Sequence, residues 1–132
     1  GARPDIVQAW QVLDEFSAMS PAQVREVNRR RGMMYISMAL VRAGMPDSAR
    51  AVARAARTGS DVDPLRELAQ LESITQTWLG NTDEAVRLLS LYLSANPGAL
   101  EGLRANAEDR ELPWYHRNLI DEPAFRALVG MN

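Results

Sequence analysis

Shifted by 36 residues, the chain matches itself: Gly44 falls on Gly80, Asp47 on Asp83, Ala49 on Ala85 and Ser37 on Ser73. Self-similarity at such a period constrains a fold more than any single motif, because it marks stacked supersecondary units. Each unit reads as a helix, a glycine turn, and a second helix with alanine near its start. Pro64 and Pro97 close the two units 33 residues apart, since the first carries a longer closing loop. The small residues Ser37 and Ala49, and again Ser73 and Ala85, let the two helices of a hairpin approach closely.

Helical spacing extends nearly throughout. Apolar residues recur at three and four positions, and alternating strand-like runs are missing. The spacing predicts a first helix from Asp5 to Ala18, carried by Ile6, Val7, Trp10, Leu13 and Phe16. Ser20-Pro21-Ala22-Gln23 predicts the next start, with serine as cap and proline in the first helical position. That second helix either runs to Ala43 or breaks near Gly32. An interior glycine costs about 1 kcal/mol against alanine, too little to decide. Further helices are predicted over 47–57, 64–79, 83–95, 99–108 and 122–129. The fold class is all-α, and 132 residues suit one domain with a continuous core.

In these residues the chain resembles the tetratricopeptide repeat family. Gly80, Ala85, Leu89 and Pro97 match its pattern in the second unit, with Ser73 in the small-residue slot. Met33, Ile36, Ser37, Leu40, Gly44, Ala49 and Ala56 match in the first. The second unit departs at Ala69, Glu72 and Gln76, where the family prefers tryptophan, leucine and tyrosine, and at Tyr92, a usually small position. The resemblance implies a short right-handed array of antiparallel helical hairpins, with units at about 31–64 and 65–97. Residues 5–30 then form N-terminal helices, a candidate degenerate unit, and 98–132 a C-terminal cap. The tail is similar to the end of helical-repeat regions in some multidomain bacterial regulators and sensor kinases, through Asp121, Pro123, Phe125 and Leu128. Physically it reads as a capping helix, with Trp114, Tyr115, Leu119, Phe125 and Leu128 covering a face that has no further neighbour.

In that family the first helices of the units line a groove. The resemblance places Arg31, Met34, Met38, Val41 and Arg42 there from the first unit. From the second it places Glu67, Gln70, Ile74, Thr77 and Trp78. Methionine adapts to varied partners, and tryptophan and arginine dominate binding hot spots. An apolar floor rimmed by arginine implies a partner protein offering a peptide or helix of acidic character. The competing reading fills the groove internally with helix 1 or the tail. The lysine- and asparagine-rich clamp of chaperone-tail adaptors is missing, so that specific function is not implied.

Little else speaks of chemistry. There is no cysteine, no phosphate-cradling glycine loop, no nucleophile elbow and no helical zinc motif. His116 is the only histidine and reads as a partly exposed structural residue. Asp61, Asp63, Asp83 and Glu84 read as helix N-terminal caps, not metal ligands. A non-enzymatic interaction module without cofactor or metal is therefore expected.

All fifteen basic residues are arginine. Residues 25–57 hold eight of them against two acids, and residues 58–132 six against twelve, so the domain is electrically bipolar. Arg29-Arg30-Arg31 with Arg25 reads as a solvated face or a protein contact, and a net charge of −2 disfavours nucleic acid. Arg50, Arg54 and Arg57 are expected on the exposed outer side and inert, since an ion pair there contributes only ~0–1 kcal/mol. No run approaches the ~20 apolar residues of a membrane span. The Gly-Ala-Arg-Pro opening suggests a piece of a longer bacterial protein or a processed form, with the cytoplasm as the default expectation. Two alternatives stay open: self-association or docking on a neighbouring domain, and a small-molecule-sensing regulatory domain.

Overall fold

The computed structural model describes residues 5–131, so the Gly-Ala-Arg-Pro opening lies outside the described residues. Among the described residues the chain is all-helical and without strands. The order is α1 (Ile6–Met19), α2 (Ala22–Arg42), α3 (Pro46–Ala56), α4 (Glu67–Trp78), α5 (Thr82–Ala95), α6 (Pro97–Glu108), a 3-10 turn (Arg117–Leu119) and α7 (Pro123–Leu128). No helix among them is long and apolar enough to cross a membrane.

The 21-residue α2 runs unbroken through Gly32. A Cβ at that position would clash with the end of the Leu13 side chain from α1, which would have to shift. Residues 22–30 belong to α2, so the stretch 5–30 holds α1 and the start of the long α2.

Helix ends follow local chemistry, with corrections. Ser20 closes α1 and does not cap α2. Its hydroxyl donates to the Phe16 carbonyl at 2.9 Å, and Pro21 takes the N-cap of α2 without a side-chain bond. Phe16 offers one of the orphan carbonyls of a helix end, and serine reaches back to it. α4 starts at Glu67, three residues later than the spacing suggests, yet Asp63 caps it as expected. Its carboxylate accepts from the amides of Glu67 at 3.0 Å and Leu68 at 2.9 Å. Asp83 and Glu84 stand in the first turn of α5 and not at its cap, which is Asn81. There they still oppose the positive end of the helix dipole.

The glycine turn repeats bond for bond. After α2, Gly44 N–H donates to Val41 O at 3.0 Å and Met45 N–H to Leu40 O at 2.9 Å. After α4, Gly80 N–H donates to Thr77 O at 3.1 Å and Asn81 N–H to Gln76 O at 2.9 Å. Both glycines lie in the left-handed region, at φ 77° and 79°, as this C-terminal motif requires. A Cβ at either position meets nothing within 4 Å, so substitution costs backbone conformation alone. Gly44→Ala and Gly80→Ala should each destabilise by about 1 kcal/mol, read as a drop in urea midpoint at constant slope.

α2 packs on α3, α4 packs on α5, and α2 lies beside α4. The cross-contacts Arg31–Glu67, Ser37–Thr75 and Arg42–Trp78 advance together along both helices, so α2 and α4 run parallel. Ser37, Ala49, Ser73 and Ala85 are all fully buried, at the positions where close approach was expected. One core joins α1, α2 and α3 around Leu13, Ile36, Leu40 and Ala49. A second sets Met34 against Ala53, Ala56 and Leu68. The third unites α5, α6 and the tail around Leu89, Leu119, Phe125 and Val129.

The arginine triplet is partly exposed, and each member has its own partners. Arg29 pairs with Asp14 of α1, Arg30 donates to the carbonyls of Ala55 and Arg57 at the end of α3, and Arg31 pairs with Glu67 of α4. Arg57 also departs from its expected idle role. It binds the buried carboxylate of Glu72 through two bonds of 2.7 and 2.6 Å, and reaches Glu84 at 2.9 Å. The basic and acidic halves of the sequence thus meet between the two hairpins.

Candidate functional site

Between α2 and α4 lies a groove of about 1120 Å³. Tyr35, Met38, Ala39 and Arg42 line it from α2, and Gln70, Leu71, Ile74 and Trp78 from α4. Trp114 and Tyr115, from the segment before the 3-10 turn, form one wall. Met38 and Ile74 are buried and make the floor, whereas Tyr35 and Trp114 stand exposed at the edge. The volume lies just above the ~300–1,000 Å³ of ordinary small-molecule pockets.

Five of the expected groove residues come together here: Met38, Arg42, Gln70, Ile74 and Trp78. Four do not. Met34 is buried in the core with Ala53, Ala56 and Leu68. Val41 turns toward the core of α1 and α3. Thr77 is buried, and its hydroxyl donates to the Ser73 carbonyl at 2.7 Å. Arg31 lies outside the groove lining, held by Asn28 and Glu67, so Glu67 is engaged as well.

For α2 the reason is helical phase. At about 100° per residue, Tyr35, Ala39 and Arg42 lie to one side of Met38, and Met34, Ser37 and Val41 to the other. A family pattern identifies the stripe, but neighbouring elements decide which flank stays open. α3 and the start of α4 cover the Met34 flank. The wall residues Trp114 and Tyr115 escaped sequence reasoning in this role. Their aromatic character signalled a cap, and nothing local says that a loop folds back on α4.

Arg42, Trp78 and Trp114 form one cluster. The two indoles stack with centroids 5.5 Å apart and planes 27° apart. The Arg42 guanidinium lies 5.1 Å from the Trp78 ring and 5.6 Å from that of Trp114. Such contacts contribute about 0.5–1 kcal/mol each when exposed and also fix the cation's direction. Tyr115 meets Trp114 edge-on at 5.5 Å and His116 at 4.9 Å, extending the aromatic contacts inward.

His116 anchors this wall and is buried, against the expectation of partial exposure. Its Nε2 lies 2.9 Å from the hydroxyl of Ser73 on α4. The same hydroxyl also reaches the Gln70 carbonyl within α4. The small-residue slot therefore does the same job twice: Ser37 bonds Thr75 of the next layer at 2.7 Å, and Ser73 bonds His116.

Burial lowers the His116 pKa from 6.5 to about 4. The unfolded chain then binds more protons than the folded one between those values. Stability from this group is complete above pH 6.5 and falls as the pH drops. The loss by pH 4 should reach about 3 kcal/mol. Urea unfolding near pH 7 and near pH 5 checks it, and His116→Gln should flatten the difference.

Among the described residues no cluster of three histidines or acids is placed to hold a metal ion. Comparison of the chain with family models, with curated proteins and with solved structures gives no significant match in any of the three.

Proposed function

We propose that the chain is a non-enzymatic protein-interaction module, and that the groove between α2 and α4 receives a segment of a partner protein. The observation carrying this reading is the open apolar channel itself. It keeps a floor of Met38 and Ile74 and a rim of Trp78, Trp114 and Arg42, residue types that dominate binding hot spots. The array is of the tetratricopeptide type. Two glycine turns 36 residues apart with matching bonds, parallel α2 and α4, and the recurring small slots support that reading.

A peptide-display selection on the intact chain tests it, with counter-selection on Ile74→Glu, which puts a charge on the floor. Enrichment of peptides that bind the wild type and not the variant is expected. Selected peptides that bind both equally would overturn the groove assignment.

One observation favours a second reading, self-association. α1 exposes Val12, Phe16 and Met19 at 56%, 54% and 85%. Sedimentation over a hundredfold concentration range decides it, since self-association through α1 requires a mass increase that Phe16→Glu abolishes.

A further inference from the structure

The groove has one uncompensated charge. Its lining contains no aspartate or glutamate, and its single cation is Arg42. Arg31 and Arg57 are tied to carboxylates, whereas among the described residues Arg42 makes only the two ring contacts. A guanidinium already oriented by aromatic faces loses less freedom on forming a bidentate pair than a free side chain does. The pocket therefore holds a preoriented donor fork without an acceptor.

The layers of the groove set the geometry of what fits. Arg42 and Trp78 form one layer, Met38 and Ile74 the next, and Tyr35 with Leu71 a third. Steps of four and three helical residues place these layers at about 0, 6 and 10.5 Å along the axis. A docked helix repeats that pitch with side chains at j, j+4 and j+7. An extended segment presents same-face side chains about every 6.8 Å and is roughly 3 Å out of step by the third layer.

Resting on the groove reading above, we propose that the occupant is an amphipathic helix whose aspartate or glutamate side chain pairs with Arg42, one turn from an apolar side chain seated on Met38 and Ile74. A side-chain carboxylate is the better match than a chain terminus. Terminal carboxylates are captured in nests of free backbone amides, and the sides of α2 and α4 offer none. Arg42 supplies one fork for one carboxylate.

The test uses a helix-templated peptide library selected on the intact chain, with binders remade as C-terminal amides carrying either glutamate or glutamine at the enriched acidic position. Acid should be enriched three or four positions from an apolar anchor. Glutamate-to-glutamine exchange should weaken binding about tenfold on the wild type and less than twofold on Arg42→Gln. Arg42→Lys, which keeps the charge and loses the planar fork, should recover only part of the difference. Groove binders without acid preference, a glutamine penalty that survives in Arg42→Gln, or a need for a free C-terminal carboxylate would each overturn the proposal and leave the groove reading intact. Absence of any binder sensitive to Ile74→Glu would instead overturn the groove reading on which it rests.

Discussion

Truncating Phe125 to alanine is expected to cost about 3–5 kcal/mol, the range for emptying a fully buried phenylalanine site. Phe125 has no exposed surface and sits among Leu89, Ala107, Leu112, Leu119 and Val129. Its ring therefore joins α5 and α6 to the tail. The tail carries Trp114, Tyr115 and His116, so losing this core also loosens the groove wall. Urea unfolding gives the stability change, and the near-ultraviolet circular dichroism of the Trp78–Trp114 stack reports the wall. Leu128→Ala, at a partly buried neighbour, should cost less.

Arg57→Ala should cost about 3 kcal/mol, although this arginine is the C-cap of α3 and only partly covered. The figure falls at the low end for a broken buried pair because the arginine side chain is 41% exposed. Glu72, 1% exposed, would keep only the Gln76 amide at 3.0 Å. The reverse change is expected to be mild. Glu72→Leu removes the buried charge and leaves Arg57 its bond to Glu84 at 2.9 Å. The double variant Arg57→Ala, Glu72→Leu should therefore recover most of what Arg57→Ala loses. Chemical denaturation of the four proteins forms a double-mutant cycle, and additive costs for the two changes would contradict the pairing.

The features readable from sequence were those that local chemistry decides. Gly44 and Gly80 mark turns because their backbone bonds need a left-handed residue, and Asp63 caps α4 because an acid precedes an apolar run. The buried small slots at Ser37, Ala49, Ser73 and Ala85 were legible through their 36-residue repetition. Features set by distant parts of the chain were not. Arg57 looked idle because Glu72 lies in the next hairpin, and the departure from leucine at that position was visible without its reason. The partners of Arg29, Arg30 and Arg31 were not legible because adjacent arginines reach three different helices. Met34 and Val41 were assigned to the groove because a stripe on a helix does not say where its neighbours sit. His116 seemed half-exposed because Ser73, its partner, is 43 residues away.

The central claim is that a partner segment lies on Met38 and Ile74, beside the cluster of Arg42, Trp78 and Trp114. Methyl-resolved NMR during titration of a selected helical peptide tests it most directly. Shifts should concentrate at the Met38 and Ile74 methyl groups and the Trp78 and Trp114 indoles, and Val12 on α1 should stay unmoved. Shifts that map instead to the exposed face of α1, with Met38 and Ile74 unchanged under saturating peptide, would contradict the account.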